Sequence, residues 1–462
     1  MKRIFTFLLV LNAGYTQAQQ KDSIISDAQK IYGLSRFWQE ANYNYAYFSN
    51  VPTLNWDSAY QAFVPKVLAT KTVFDYYRVL QRFCALLKDG HTNIYFPNYI
   101  QNNRTRRSFG DIKLELQNID GKPIVVNTAF TTKDVVPIGS EIIRVNNMPV
   151  KQYIDEFVRP YIAQSASYII EDWCVDYLLE GFNGDTIRID YRKHGNAGTV
   201  QSLLLKGEVK QGVTWLNAYS NSLYGFKWLP GEIAKIDLNS FGDRRIVDSF
   251  IAALPALQKA KGIIIDLRRN GGGNSDNSAA IISYFTNQDT IRGGKWLTRE
   301  HRASFKAWGS YAMQNLADSS EWSNKAREYY KGNVWFDGGQ MTIPNTAPVE
   351  KRMTNVQLAI LFGHQTASAA EDFLIMMDEL PDRAVTLGQR SFASTGQPIP
   401  FSLPGGGSAR ICTKQDTYPD GRKFVGSGIV PDFEINPTIE DYLQQKDATV
   451  EKAISLLNKK IK

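Results

Sequence analysis

The chain has 462 residues, a length sufficient for two to four folded domains. Its net charge of +7 falls to +5 without Lys2 and Arg3, and its basic residues are scattered, so the sequence does not indicate a nucleic-acid-binding protein. The three cysteines, Cys84, Cys174 and Cys412, are far apart in the sequence. Their spacing excludes a disulfide framework and a cysteine metal site but leaves one disulfide possible.

Residues 1–18 have the pattern of a secretory signal peptide. Lys2 and Arg3 precede the apolar residues 4–13, and the following Thr16-Gln17-Ala18 provides small residues for cleavage. The apolar run is too short to span a bilayer, and no cysteine follows it to carry a lipid anchor. We therefore expect export to a periplasm or the medium, with no stable membrane insertion after the signal is removed.

Residues 19–100 are predicted to form an N-terminal helical domain rich in aromatic side chains. Apolar residues recur at the i, i+3, i+4, i+7 spacing of a helix buried on one face: Val73, Tyr76, Tyr77, Leu80, Phe83, Cys84 and Leu87. Asp89-Gly90 then ends the helical pattern and places His91 in a loop.

Residues 108–207 are predicted to form a small β domain with a helical insertion at 165–179. Residues 112–116 alternate in polarity with period two, and Asp120-Gly121 is a turn signal. Residues 138–147 resemble the Gly-Asp-x-Ile-x-x-Ile-Asn-Gly stretch of PDZ domains, with Ser140 in place of the aspartate. In such a domain an extended peptide adds as a strand to an exposed sheet edge. The alternative is a β domain that only braces its neighbour.

Residues 225–440 alternate apolar strands with helices, a pattern typical of mostly parallel βαβ units. We predict strands at 232–238, 263–267, 356–362 and 384–387, and helices at 246–260 with a kink or break at Pro255, at 275–284 and at 367–380. A polar, aromatic insertion at 286–354 is predicted to be a lid or a cleft wall. Residues 441–462 are predicted to contain an amphipathic helix capped by Asp447.

Two strand-to-helix turns carry the predicted chemistry. In the first, Ser368 lies between the apolar strand 356–362 and a helix, where free N–H groups and the helix dipole favour an oxyanion. In the second, Asn270-Gly271-Gly272-Gly273 follows strand 263–267, and its glycines let backbone amides approach a substrate carbonyl. Each turn alone is also compatible with a simple helix cap or chain reversal. Phosphate binding is disfavoured because the glycines lack the P-loop and dinucleotide spacings.

Together with Lys88-Asp89-Gly90-His91-Thr92 and Gly426-Ser427-Gly428-Ile429-Val430-Pro431-Asp432, these turns resemble the motifs of family S41 serine peptidases. This group holds the C-terminal processing proteases and the tricorn core. The resemblance extends from about residue 30 to residue 436. It implies an α/β fold with a ClpP/crotonase-like spiral core of βαβ units, besides the N-terminal helical domain and the PDZ-like β domain. It also implies peptide or unfolded-protein substrates and no metal or organic cofactor.

A serine nucleophile needs a base within hydrogen-bond reach. In the processing proteases this base is a lysine in a Gly-x-Lys-x-Phe segment, but the matching segment here reads Gly388-Gln389-Arg390-Ser391-Phe392. Arginine stays protonated and cannot accept the proton. The tricorn-like branch uses a histidine that matches His91, which is therefore the predicted base, with His364 as the second candidate.

The predicted base lacks the acid that the family pattern would supply to orient it. The tricorn-like branch carries a glutamate just before its late glycine segment, where this chain has Val425. Glu371, one helical turn after Ser368, is the predicted auxiliary catalytic residue, and Asp416 and Asp420 are further candidates.

The predicted oxyanion donors are the backbone N–H groups of Ala369 and of Gly271 or Gly272. The sequence thus predicts an exported serine endopeptidase that acts through an acyl-enzyme. Arg390 and Val425 keep open a catalytically inactive peptide-binding or scaffold protein. Because retinoid-binding relatives use the same core, a carrier of small apolar ligands is a third alternative.

Overall fold

The structure is a computed structural model that describes residues 25–461 except residues 197, 219 and 382. The signal peptide predicted for residues 1–18 lies outside the described residues. Within them, no helix combines the length and the apolar character needed to cross a bilayer. All three cysteines are buried as free thiols.

The N-terminal region is helical and rich in aromatic side chains, as predicted. It contains α1 (Asp27–Asn44), α2 (Trp56–Leu68), α3 (Val73–Ala85), β1 (Asn93–Tyr95) and α4 (Asn98–Gln101). The side chains of Asn55 and Thr72 accept backbone hydrogen bonds at the starts of α2 and α3 and so fix where these helices begin. The predicted buried stripe on α3 is confirmed, and Phe83 stacks on Trp56 with ring centroids 4.2 Å apart.

A second region is built on an eight-stranded sheet. Its elements are β2 (Arg104–Thr105), β3 (Ser108–Gly110), β4 (Ile112–Ile119), β5 (Lys122–Thr128), β6 (Glu141–Val145), β7 (Met148–Pro149), α5 (Val150–Tyr153), α6 (Ser167–Asp176), β8 (Gly181–Phe182), β9 (Thr186–Arg192), β10 (Gln201–Lys206) and β11 (Glu208–Val209). The strand order is β10-β9-β6-β5-β4-β3-β11, with β7 on β6, while β2 pairs separately with β8. The predicted helical insertion is α6, which packs against β4.

The remainder of the described chain alternates strands and helices. Its elements are β12 (Tyr224–Leu229), β13 (Ile233–Leu238), α7 (Arg245–Leu257), β14 (Gly262–Asp266), α8 (Ser275–Ile282), β15 (Thr290–Arg299), α9 (Ala303–Ala312), α10 (Glu321–Lys331), β16 (Trp335–Pro344), β17 (Gln357–Phe362), α11 (Ala369–Asp378), β18 (Val385–Gly388), β19 (Pro398–Ser402), β20 (Ser408–Cys412), β21 (Lys414–Thr417), β22 (Phe433–Glu434), α12 (Ile439–Gln444) and α13 (Ala448–Ile461).

The central sheet has the strand order β12-β13-β14-β17-β18-β22. Its strands run parallel from β13 onward, and only β12 is antiparallel to its neighbour, in agreement with the predicted βαβ units. Both faces are covered. Ile263 and Ile265 face a core shared with α7, α8 and α11, whereas Ile264 packs in a second cluster with α13 on the other face.

Of the kink or break predicted at Pro255, the break does not occur, since α7 continues through Pro255 to Leu257. A proline removes one backbone hydrogen bond from a helix. The buried residues Phe250, Leu254 and Leu257 lie on one face around Pro255 and hold the last turns against the core. The predicted cap of the final helix is confirmed, because Asp447 Oδ1 accepts the N–H of Val450 at 3.1 Å.

The insertion at 286–354 forms a long antiparallel ribbon of β15 and β16 that carries the helices α9 and α10. β15 also pairs with β21, which ties the ribbon to the end of the core region.

The helical region is joined to the core region by a small sheet of order β1-β20-β19. Next to this sheet the Tyr77 hydroxyl donates to the carbonyl of Pro404 and accepts the N–H of Gly407, both at 2.8 Å. Because β1 begins two residues after His91, this sheet fixes where the His91 loop meets the core.

Replacing the buried Tyr77 by phenylalanine leaves the N–H of Gly407 and the carbonyl of Pro404 without this partner. We expect Tyr77→Phe to lower the free energy of unfolding by about 1–3 kcal/mol, measured by chemical denaturation. Tyr311→Phe is the control, because Tyr311 is 71% exposed. Equal stability of the two variants would show that the bridge does not hold the two regions together.

Candidate active site

The two predicted site turns lie side by side because β14 and β17 are adjacent parallel strands. Their register pairs Asp266 with Leu361, so both strands end at the same edge of the sheet. The pairing continues past the strand ends, where the N–H of Leu267 donates to the carbonyl of Leu361 at 2.7 Å. Further on, the N–H of Ala367 donates to the carbonyl of Asn270 at 3.1 Å.

Asn270 shapes the glycine turn from inside. Its buried side chain donates to the carbonyl of Leu238 and accepts the N–H of Gly272, both at 2.9 Å. The second bond engages the Gly272 N–H, which corrects the prediction that it is an available oxyanion donor.

The contact between the turns depends on glycine at position 272. Gly272 has φ +100°, and a Cβ atom there would lie 2.7 Å from both the Ser368 Cβ and the Ala367 carbonyl oxygen. By contrast, a Cβ atom at Gly271 would meet nothing within 4 Å. Gly272 therefore permits the close approach, and Gly271 faces open space.

Ser368 is the residue directly before α11, and its backbone is strained. It has φ +56° and ψ −124°, a conformation that costs a residue with a side chain roughly 1–3 kcal/mol. A sharp strand-to-helix turn of this type exposes a serine hydroxyl at the end of the sheet. The backbone N–H of Ser368 points inward and donates to Glu371 Oε2 at 3.1 Å.

Two backbone donors are available beside Ser368. Among the described residues, the N–H groups of Ala369 and Gly271 form no hydrogen bond. Ala369 is the first residue of α11, where the helix dipole also favours negative charge. These are two of the three predicted oxyanion donors.

His91 is held by a hydrogen-bonded chain of two further residues. Its Nδ1 lies 2.8 Å from Ser394 Oγ, and Ser394 Oγ donates to Asp89 Oδ1 at 3.3 Å. With the Ser394 proton directed to Asp89, Ser394 Oγ accepts from His91, so the proton of the neutral ring is on Nδ1. The other nitrogen, Nε2, then carries the lone pair.

The surroundings of the hydrogen-bonded residues His91, Ser394 and Asp89 keep the His91 ring neutral. Burial lowers the pKa of His91 to about 3, and the charges of Arg410 and Lys414 act in the same direction. Asp89 is also buried, and its burial raises the pKa of its carboxyl group. Ser165 supports it by donating to Asp89 Oδ1 at 3.4 Å.

His91 and Ser368 line one cleft of about 1580 Å³, together with Gly271 and Ala367. Their side chains are not hydrogen-bonded to each other among the described contacts; such bonds are often long without substrate. None of the described residues at 286–354 lines this cleft, so the structure does not support the predicted lid or cleft wall there.

Glu371 does not line the cleft, although it was predicted as an auxiliary catalytic residue. It is fully buried, and its Oε1 accepts from the Ser391 hydroxyl at 2.6 Å and from the Ala393 N–H at 2.9 Å. Burial raises the pKa of Glu371 to about 8. Glu371 therefore joins the Ser368 turn to the segment that carries Ser394, which is a positioning role.

The other candidate acids lie elsewhere. Asp420 pairs with the exposed Arg422 at 2.6 Å, and Asp416 pairs with Lys414 at 2.8 Å. Neither forms a described contact with His91. Val425, at the position of the family's glutamate, packs against apolar cores instead.

The remaining basic candidates are also assigned. Arg390 is 42% exposed and faces Glu434 at 3.8 Å, outside the cleft lining. His364 does line the cleft, but its Nδ1 is held by Asp172 of α6 at 2.5 Å. Within the described part of the chain, no group of three or more His, Cys, Asp or Glu side chains could hold a metal ion.

Sequence reasoning missed Ser394 as the partner of His91. No motif pointed to it, and the two residues are 303 positions apart. Asp89 belongs to the motif around His91, so its position two residues before the predicted base was a usable signal.

Comparisons with known proteins address the family and the fold of the chain. The model of peptidase family S41 matches residues 232–435. Mature CPAF has a TM-score of 0.69, with 14% identity over 94% of this chain and 98% of that chain. Mature CPAF complexed with lactacystin gives 0.68, with 14% identity over 94% and 99%. A proposed peptidase from Parabacteroides merdae gives 0.50, with 16% identity over 94% and 97%.

At these identities the structural likeness shows a shared fold. No curated protein matches the sequence significantly. The predicted α/β fold with a helical N-terminal region is confirmed. The match identifies residues 232–435 as a serine-type peptidase region of family S41.

Proposed function

We propose that this peptidase is an exported serine endopeptidase that cleaves peptides or unfolded proteins through an acyl-enzyme. The observation that carries the proposal is the shared cleft. The cleft is lined by Ser368, by the neutral His91 and by Gly271. The available N–H groups are those of Gly271 and Ala369, which belong to the two turns beside it. Export is supported by the signal-peptide pattern of residues 1–18.

In the proposed reaction, Ser368 Oγ attacks the scissile carbonyl carbon while His91 Nε2 takes the hydroxyl proton. The N–H groups of Ala369 and Gly271 donate to the resulting oxyanion, and losing one such donor typically costs about 3–4 kcal/mol in the barrier. The protonated Nε2 then gives its proton to the leaving amine. Water hydrolyses the acyl-enzyme by the same steps, with His91 again acting as the base.

Ser394 and Asp89 take the part of the missing glutamate in this proposal. The Ser394 hydroxyl accepts the Nδ1–H of His91 and thereby holds the ring with Nε2 available for Ser368. When the ring is protonated, the buried Asp89 stabilises the positive charge through the intervening hydroxyl. Asp89 acts through Ser394 and is a positioning residue.

The eight-stranded sheet of the second region favours a peptide as the substrate. Its edge strands β10 and β11 are available for the addition of an extended chain, as in the resemblance to PDZ domains. The cleft itself is lined by several arginines and carboxylates, which does not favour the alternative of a carrier for small apolar ligands. Reactivity of Ser368 toward a covalent probe distinguishes an active enzyme from the inactive scaffold alternative.

A fluorophosphonate probe should label the purified protein at Ser368, as mapped by mass spectrometry. Ser368→Ala and His91→Ala should lose the label, because the first removes the nucleophile and the second removes its base. His364→Ala is the matched control and should keep it, since Asp172 holds that ring. An unlabelled wild type would favour the inactive scaffold, and labelling of His91→Ala would overturn His91 as the base.

Ser394→Ala should lower kcat by about 10- to 1000-fold with little change in KM, because the imidazole loses the acceptor at Nδ1. Asp89→Asn should act on the same step, so the double variant should lose no more than the worse single variant. Ser402→Ala, on the exposed side of β19, is the control. Unchanged kcat in Ser394→Ala, or fully additive losses, would contradict the hydrogen-bonded chain.

The pH dependence of kcat/KM should lack the usual acid limb of a histidine base. Because burial lowers the pKa of His91 to about 3, the ring stays neutral from pH 7 down to pH 5. A histidine with the ordinary pKa near 6.5 would lose about 25-fold in its neutral fraction over this range. Initial rates with an uncharged peptide check this point, and a midpoint near 6.5 would show that His91 is not buried as described.

A further inference from the structure

The cleft wall beyond His91 carries more positive than negative charge. Six arginines and four carboxylates are among its lining residues. Arg104 is paired with Glu180. Arg106 and Arg107 both pair with Asp176. The other three arginines, Arg78, Arg82 and Arg410, lie on the side of the cleft formed by α3, β1 and β20. The other two carboxylates, Asp75 and Asp185, accept hydrogen bonds from the Thr72 hydroxyl and the Phe182 N–H.

Arg410 is the one of these three that lies next to the catalytic loop. Its Nε donates to Asn93 Oδ1 at 2.8 Å, and one Nη donates to the carbonyl of Gly90 at 3.4 Å. Its guanidinium carbon is 5.7 Å from the centre of the Tyr95 ring. No carboxylate of a described residue lies within 4 Å of it.

These contacts position the guanidinium without placing a carboxylate directly against it; the buried Asp89 lies within its electrostatic reach. The partners are an amide oxygen, a carbonyl and an aromatic ring, and a guanidinium has five N–H donors. A half-buried cation with donors to spare is a ready partner for a planar carboxylate, which arginine binds through two parallel hydrogen bonds.

The position of Arg410 relates it to the reacting atoms. Asn93, its partner across the β1–β20 pair, follows His91 by two residues. The charge of Arg410 is among the causes that lower the pKa of His91, so the two groups are within electrostatic reach.

Arg78 and Arg82 continue the same wall away from the catalytic loop. They are one helical turn apart on α3, and their guanidinium carbons lie 3.2 Å and 5.9 Å from the centre of the Tyr161 ring. Gln81 between them donates to the carbonyl of Ile94 at 3.4 Å and so ties α3 to β1. Neither arginine forms an ion pair with a described carboxylate.

We propose that Arg410 binds a carboxylate of the peptide beside the scissile bond, so that the cleft selects acidic peptides or chain ends. This inference rests on the proposed function and names its substrate class. The bound carboxylate would also offset the repulsion between Arg410 and the imidazolium that forms on His91. An acidic substrate would therefore gain in kcat as well as in binding.

Binding to the full-length Ser368→Ala variant tests this proposal without requiring turnover. Three sets of N-terminally labelled peptides are compared by fluorescence anisotropy: one glutamate scanned along an amidated peptide, glutamines with a free C-terminus, and glutamines with an amidated C-terminus. We expect one of the two carboxylate sources to bind about 10- to 100-fold more tightly than the neutral peptide. The better source decides between a side chain and a chain end.

Arg410→Gln in the same background should abolish that preference, and Arg410→Lys should restore part of it. Arg302→Gln is the matched control and should keep the preference, because Arg302 is an exposed arginine between β15 and α9 that pairs with Glu300. Equal affinities for all three peptide sets, or a preference that survives Arg410→Gln, would overturn the proposal.

The two levels of inference can fail separately. If wild type cleaves peptides but the binding preference is absent, the carboxylate site is wrong and the proposed function stands. If the preference depends on Arg410 but wild type cleaves no peptide, the proposed function is wrong and the carboxylate site stands.

Discussion

The parallel pairing of β14 with β17 is the constraint on which the rest of the site depends. Both strands end at the same edge, so the glycine turn after one meets the serine turn after the other. Asn270 and the absence of a side chain at Gly272 then bring the two turns into van der Waals contact. A shift of the register by one residue would turn the side chains of one strand to the opposite face and separate the donors from the hydroxyl.

His91, the proposed base, reaches this edge through a different kind of contact. The His91 loop belongs to the helical region, and β1 delivers it by pairing with β20, a strand more than 300 residues later. The segment between β18 and β19 completes the arrangement, because Glu371 holds it from below while Ser394 holds the imidazole. The proposed nucleophile, base and positioning residues thus come from three separate parts of the chain.

Local patterns in the sequence were sufficient for the central sheet and for the two turns. Apolar runs such as residues 263–265 and 358–362 specify buried strands, and Asn270-Gly271-Gly272 and Ser368 mark the turns that follow them. Pairings between distant segments were not accessible in this way. Ser394 belongs to no motif, and its role depends on where β20 places His91. The insertion at 286–354 was expected at the cleft because of its position in the sequence between the two site strands. Its placement depends instead on the distant pairing of β15 with β21, which the sequence does not reveal.

The left-handed backbone conformation of Ser368 lowers the stability of the fold at the residue that carries the proposed reactive hydroxyl. Glycine adopts φ +56° without strain, so Ser368→Gly would relax the turn while deleting the hydroxyl. Selection for thermal resistance alone would therefore favour loss of the proposed nucleophile, and a library screened in that way would accumulate stable variants without the Ser368 hydroxyl. In the proposed reaction the hydroxyl of Ser368 is needed as the nucleophile, and the strained backbone is the energetic cost of placing a serine there.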